Sequence, residues 1–165
     1  MKVRKGFTLV ELLIVIVIIG ILAAAMLLSS GSATDSAEAS NIINAMRSMK
    51  SGSMIWYSNN MDEAALLTAA NPIVASTSDP RWNQLMELVD NPGKMQDYAI
   101  VAHADGSWWV RFTPPGGFKA SVLEKLPGRA QSIGLFNTAI GRTALVSPAT
   151  TDYYSGSGAV FMVAR

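Results

Sequence analysis

LLIVIVIIGILAAAMLL occupies residues 12–28 and contains no charge. The uncharged stretch runs on to Thr34 before Asp35 ends it. A helix that crosses a bilayer needs about 20 mostly apolar residues, with ~17 as the lower limit. The run therefore reads as a membrane-spanning helix. Glu11 is the only charge between Lys5 and Asp35, and ahead of it stand Lys2, Arg4 and Lys5 without an acid. Such cations hold their flank on the cytoplasmic side, so the rest of the chain is expected across the membrane. Two readings of this N-terminus compete. One is a secretory signal cut behind Ala23-Ala24-Ala25. The other is an anchor that stays. A glutamate at the edge of the apolar run fits the first poorly, because a carboxylate near hydrocarbon needs a partner or a wet interface.

Lys5-Gly6-Phe7-Thr8-Leu9-Val10-Glu11, followed at once by the apolar run, resembles the class III leader of type IV pilins and their pseudopilin relatives. The resemblance covers residues 1–59 and says little of the remainder. It implies that a prepilin peptidase cuts between Gly6 and Phe7, removes residues 1–6 and methylates the new N-terminus at Phe7. It also implies that Glu11 serves assembly by pairing with the Phe7 amine of a neighbouring subunit. Phe7 and Glu11 lie one helical turn apart on one face, so an intrachain contact is the competing explanation. Loss of the leader takes away three cations, leaving 10 Lys+Arg against 12 Asp+Glu and a formal charge of −2 before the termini are counted. Extraction of the subunit from the membrane becomes easier once those cations are gone. The family often carries a proline a little beyond the mid-span glycine; here Gly20 is present, but Leu27 and Leu28 stand where that proline falls.

The helix is expected to continue past the apolar segment. Ala39, Ile42, Ile43, Met46, Met49, Ser53 and Trp56 recur at three- and four-residue steps, whereas Asp35, Glu38, Arg47 and Lys50 fall largely elsewhere. That is one apolar face on a core. As one helix, residues 7–57 would measure roughly 75 Å at 1.5 Å per residue. Ser29-Ser30-Gly31-Ser32 and Gly52 are its weak points.

Residues 60–165 suffice for one small core. Residues 61–70 suggest a short helix stopped by Asn71-Pro72. Asp79 as N-cap and Pro80 at the first helical position start another. Residues 98–103 and 108–112 flank Asp105-Gly106, a hairpin signal. Residues 118–126 suggest a short helix stopped by Pro127-Gly128, residues 129–141 are ambiguous, and 143–147 and 158–164 read as two closing strands. Trp108 and Trp109 must point to opposite faces of their strand. Most aromatics are expected in the core, with Tyr153 and Tyr154 the exposed pair of a Gly/Ser-rich loop.

Composition excludes several chemistries. There is no cysteine and only one histidine, His103, so disulfides, thiolate nucleophiles and His-rich metal sites are ruled out. Many pilins close their C-terminal loop with a disulfide; residues 148–158 can rely only on packing and hydrogen bonds. Some pseudopilins bind calcium near the C-terminus, but Asp152 is the only acid in this loop, and no metal site is expected. A net charge of +1 is no footprint for nucleic acid, which is not expected as a partner. His103 with Asp97, Asp105 and Ser107 nearby is no triad by sequence, and no nucleophile-elbow, phosphate-loop or dinucleotide-binding pattern occurs. No catalytic residue and no cofactor are assigned.

The expected fold class is α+β: a long N-terminal α-helix, its apolar half projecting and its amphipathic half packed, with a small antiparallel sheet as head. The expected organisation is a leader over 1–6, a transmembrane and filament-core helix over 7–34, its amphipathic continuation over 35–59, and a globular head over 60–165. The resemblance implies a non-enzymatic filament subunit, anchored once in a bacterial inner membrane before assembly into a homo-oligomeric surface pilus. Its partners would be the prepilin peptidase and the inner-membrane assembly machinery, and adhesion, motility or DNA uptake would be the outcome. One alternative is a pseudopilin of type II secretion; another is a membrane-anchored or secreted binding domain.

Overall fold

The computed structural model describes residues 6–64, 67–68, 70–76 and 78–165. The leader residues 1–5, and positions 65, 66 and 69 of the short helix expected over 61–70, lie outside the described residues. The chain divides between Ala37 and Glu38 into two compact units. Helix α1, Leu9–Asn59, begins in the first and ends in the second. Its backbone stays helical through Gly20, Gly31 and Gly52, so the expected weak points do not interrupt it.

In the first unit the helix has no buried side. Phe7 is 89% exposed, Leu9 82% and Ile16 59%. Every side chain described from Gly6 to Leu27 is exposed, consistent with a sequence that is apolar all round rather than on one stripe.

The second unit is an α+β layer structure. Short helix α2 spans Met61–Ala64, α3 Pro80–Met86, α4 Ala120–Leu123, α5 Pro127–Ile133 and α6 Arg142–Val146. Strands β1 (Ile73–Val74), β2 (Tyr98–Ala102), β3 (Trp108–Phe112), β4 (Leu135–Phe136) and β5 (Val160–Val163) form one sheet in the order β1-β2-β3-β5-β4, with all neighbours antiparallel. The chain's last strand thus lies between β3 and β4.

All seven residues of the predicted helix face, Ala39 through Trp56, are buried. The six apolar ones share one core with Tyr98, Ile100, Trp108, Val110, Phe112, Val160 and Met162. The alternate residues Ala99, Val101 and Trp109 face the other way and join Phe136 in a second core. Ile140, Leu145 and Tyr153 pack onto that second core. Both sheet faces are covered, which is why Tyr98–Ala102 reads as a continuous apolar run and why Trp108 and Trp109 are both buried.

Two side-chain arrangements tie α1 to the segment Pro80–Val89. Trp56 Nε1 donates to Gln84 Oε1 at 2.8 Å. Gly52 lies so close that a Cβ there would stand 2.8 Å from Val89 Cγ2 and 3.3 Å from the Leu88 carbonyl oxygen. Asp79 caps α3 by accepting from Arg81 N, with Pro80 at the first turn as expected. The Arg81 guanidinium, 2.8 Å from Asp79, holds that carboxyl below its usual range.

The Asp105-Gly106 pair does mark the β2–β3 hairpin. The loop is Ala104-Asp105-Gly106: Gly106 N donates to His103 O, His103 N donates to Ser107 O, and Gly106 takes φ +78°. Glycine supplies that left-handed position without strain.

Three expectations are corrected. Pro127-Gly128 opens α5 rather than stopping a helix, because a proline at the first helical position gives up only an amide that has no intrahelical partner. Residues 143–147 are not a closing strand but lie mostly in α6. Strand β4 pairs β5 instead, and Leu145 covers the second core from outside. Tyr153 and Tyr154 are not an exposed pair. Tyr153 stacks on Phe136 at 5.1 Å between ring centroids, and Tyr154 is 2% exposed. Burial pushes the Tyr154 hydroxyl up to about 12.

Candidate processing and assembly site

Residues 6–8 precede the first turn of α1. The Gly6–Phe7 peptide bond is therefore outside the helical hydrogen-bond ladder. A Cβ at Gly6 would meet nothing within 4 Å. An exposed, non-helical peptide bond with a small residue on its N-terminal side is the form a peptidase can bind.

Thr8 then starts the helix. Its hydroxyl accepts from Glu11 N at 3.3 Å, and Thr8 N donates to Glu11 Oε2 at 2.8 Å. The hydroxyl also donates to Glu11 Oε2 at 2.7 Å. Leu12 N closes the first turn on Thr8 O at 3.3 Å. This is a reciprocal capping box, in which the N-cap and the third helical residue satisfy each other's amide. The Thr-x-x-Glu spacing stands in the sequence, but the expectation for Glu11 weighed a Phe7 partner and a wet interface and did not weigh Thr8. Within its own chain, the structure brings Glu11 to Thr8. Both Thr8 bonds fall on Oε2.

The second cluster weighed from sequence lies in the β2–β3 loop. Asp105 Oδ1 accepts from Ser107 N at 2.9 Å and Ser107 Oγ at 2.6 Å, and lies 3.2 Å from His103 Nδ1. Asp105 Oδ2 accepts from Arg142 N at the start of α6. Ser107 is fully buried and accepts from Trp109 Nε1 at 3.2 Å. Here the aspartate stands between the serine and the histidine, whereas a nucleophilic triad needs the histidine in the middle. The Ser107 hydroxyl, the Arg142 amide and the Ser107 amide, in that order, hold the Asp105 carboxyl well below its usual range. The cluster braces a hairpin to α6.

The C-terminal loop has a clamp that the sequence reading missed. Asn137 Nδ2 donates to Tyr153 O at 2.7 Å, and its Oδ1 accepts from Ser155 N at 3.1 Å. Asp152 accepts from Ala149 N at 2.8 Å within the loop. Among the described residues no three His, Asp or Glu gather as a metal site would require.

Residues 1–27 match the family model described as the prokaryotic N-terminal methylation motif. No solved structure matches the chain significantly.

Proposed function

We propose that this chain, marked by its N-terminal methylation motif as a type IV pilin-like or pseudopilin protein, is a structural subunit of a pilus filament assembled through α1. The observation that carries the reading is the exposure of the apolar helix on every side, directly behind the Gly6–Phe7 bond. Burying such a helix stabilises by ~0.8 kcal/mol per CH₂, far more in sum than any single polar contact. A membrane covers it first, and equivalent helices of other subunits cover it in the filament.

Prepilin-type processing leaves this helix attached, whereas an ordinary signal peptidase cutting behind Ala25 would discard most of it. Cleavage turns the Phe7 amide into an amine. Glu11 Oε2 is engaged by Thr8, and Oε1 is left for the Phe7 amine of an adjacent subunit. The pair neutralises the one acid of the apolar stretch inside a bundle, where an unpaired carboxylate is costly. The chain thus passes from a single-span inner-membrane precursor to a surface fibre, by way of the prepilin peptidase and the membrane assembly machinery. Its role is structural rather than enzymatic.

A pseudopilin of type II secretion is the second reading, since the same motif serves both. Electron microscopy of the producing cells, with mass spectrometry of sheared surface fibres, separates the two. A pilin should be abundant in long fibres. Abundance in the membrane with none in the fibres supports the pseudopilin.

A further inference from the structure

On the outer face of the sheet, Arg111 of β3 sits between Ala99 of β2 and Phe161 of β5. Its Nε is closed off from water and has no hydrogen-bond partner, alone in this among the buried side-chain nitrogens and oxygens of the described residues. Buried donors are nearly always satisfied, and one that is not asks for an explanation. A guanidinium cannot escape by losing its proton. Arg111 lines a depression of about 330 Å³ together with Val74, Gln96, Asp97, Thr113 and Pro114. Asp97 forms no ion pair with it. The guanidinium thus lines the depression without an ion pair, although a carboxylate shares its wall.

We propose that Arg111 is the receptor of a carboxylate group supplied from outside its own fold. The fork of Nε and one terminal nitrogen matches the two oxygens of a carboxylate. Because Nε is closed off from water in this conformation, binding through that edge requires the guanidinium to rotate about its last side-chain torsions. Asp97 on the same wall repels any anion, a doubly charged one such as phosphate more than a carboxylate, which biases the site toward a monoanion. The volume, at the low end for ligand sites, suits an acidic side chain or a small organic acid. The carboxylate has two sources: a free acid, or an Asp or Glu side chain of a second copy. The site uses no residue of the Gly6–Glu11 segment, so it stands whether or not the filament reading does.

The test uses the full chain in detergent micelles, with the backbone amides of Ala99 and Thr113 followed by NMR during titration with sodium acetate and, in parallel, sodium chloride. The expected result is a saturable shift with acetate and none with chloride. In Arg111→Lys, which keeps the charge but loses the fork, half-saturation should need about tenfold more acetate. The same amides shifting as protein concentration rises without acetate, reversed by acetate, identifies a second copy as the source; a shift that needs acetate identifies a free acid. Equal responses to acetate and chloride, or identical curves for wild type and Arg111→Lys, overturn the proposal.

Discussion

Glu11 has two carboxylate oxygens, and Thr8 engages one of them. The capping box and the intersubunit pair are therefore compatible, and substitution separates them. Glu11→Gln keeps a carbonyl to accept from Thr8 N but carries no charge. If the charge pairs with the Phe7 amine, Glu11→Gln and Glu11→Ala should both insert and be cleaved normally. Both should then lower sheared-filament yield at least about tenfold, as loss of a charged hydrogen bond does. Filaments near wild-type yield from Glu11→Gln would reduce Glu11 to a helix cap. Asp105 makes a prediction in pH. Its folded carboxyl titrates below its unfolded value, so its contribution to stability is complete above about pH 4, the unfolded value, and fades as pH falls through the folded one. In urea unfolding, Asp105→Asn should be less stable than wild type at pH 7, with the gap narrowing toward pH 2. A gap independent of pH would mean that the brace to Ser107 and Arg142 does not depend on charge. The turn signal at Asp105-Gly106 was plain in the sequence. The bond from Arg142 N was not, because 37 residues separate the partners.

Helix α1 was the most legible element, since a three-and-four periodicity over Ala39–Trp56 leaves one way to bury the chain. Gly52 was misread for the same reason. Propensity marks a helical glycine as weak, while its use here lies in what packs on it. An alanine at this position gains about 1 kcal/mol of helix propensity. Its methyl must also displace a stiff β-branched side chain, Val89, near the Leu88 carbonyl. Overpacking of that kind costs about 1–3 kcal/mol, so Gly52→Ala should be net destabilising in thermal or urea unfolding. Gly52→Ala with Val89→Ala should be more stable than the sum of the single changes predicts, because the second makes room for the first. Additive losses would show that the close approach is not the cause. The β2–β3 hairpin and α3 were readable from local turn and cap chemistry. Helix α6 was not. The run Thr143–Val146 has the β-branched and apolar residues of a strand, and only the tertiary position of β4 beside β5 gives it another place. Tyr154 likewise carries no local sign of burial; Gly and Ser around it read as a loop, and the core beneath is made by residues far away in the chain.

At the scale of the molecule, the two halves of the sequence follow different rules. From Glu38 onward, most of the described apolar residues sit on faces and are buried within the chain. Before Ala37, those whose exposure is described surround the helix and are exposed. The account rests on that contrast: the N-terminal helix is built to be covered by something other than its own chain, and it must survive processing to be so used. The proposed cleavage and assembly positions rest on a short contiguous pattern, Gly6 to Glu11, that a sequence displays directly, whereas Asn137 and Arg111 owe their interest to neighbours brought together by folding. The decisive measurement is the N-terminus of the mature chain, by intact mass and N-terminal sequencing of protein from sheared fibres or, where fibres are absent, from the membrane. The account predicts a chain that begins at Phe7, heavier by one methyl group. A mature chain that begins at Met26, without the apolar helix, would contradict it.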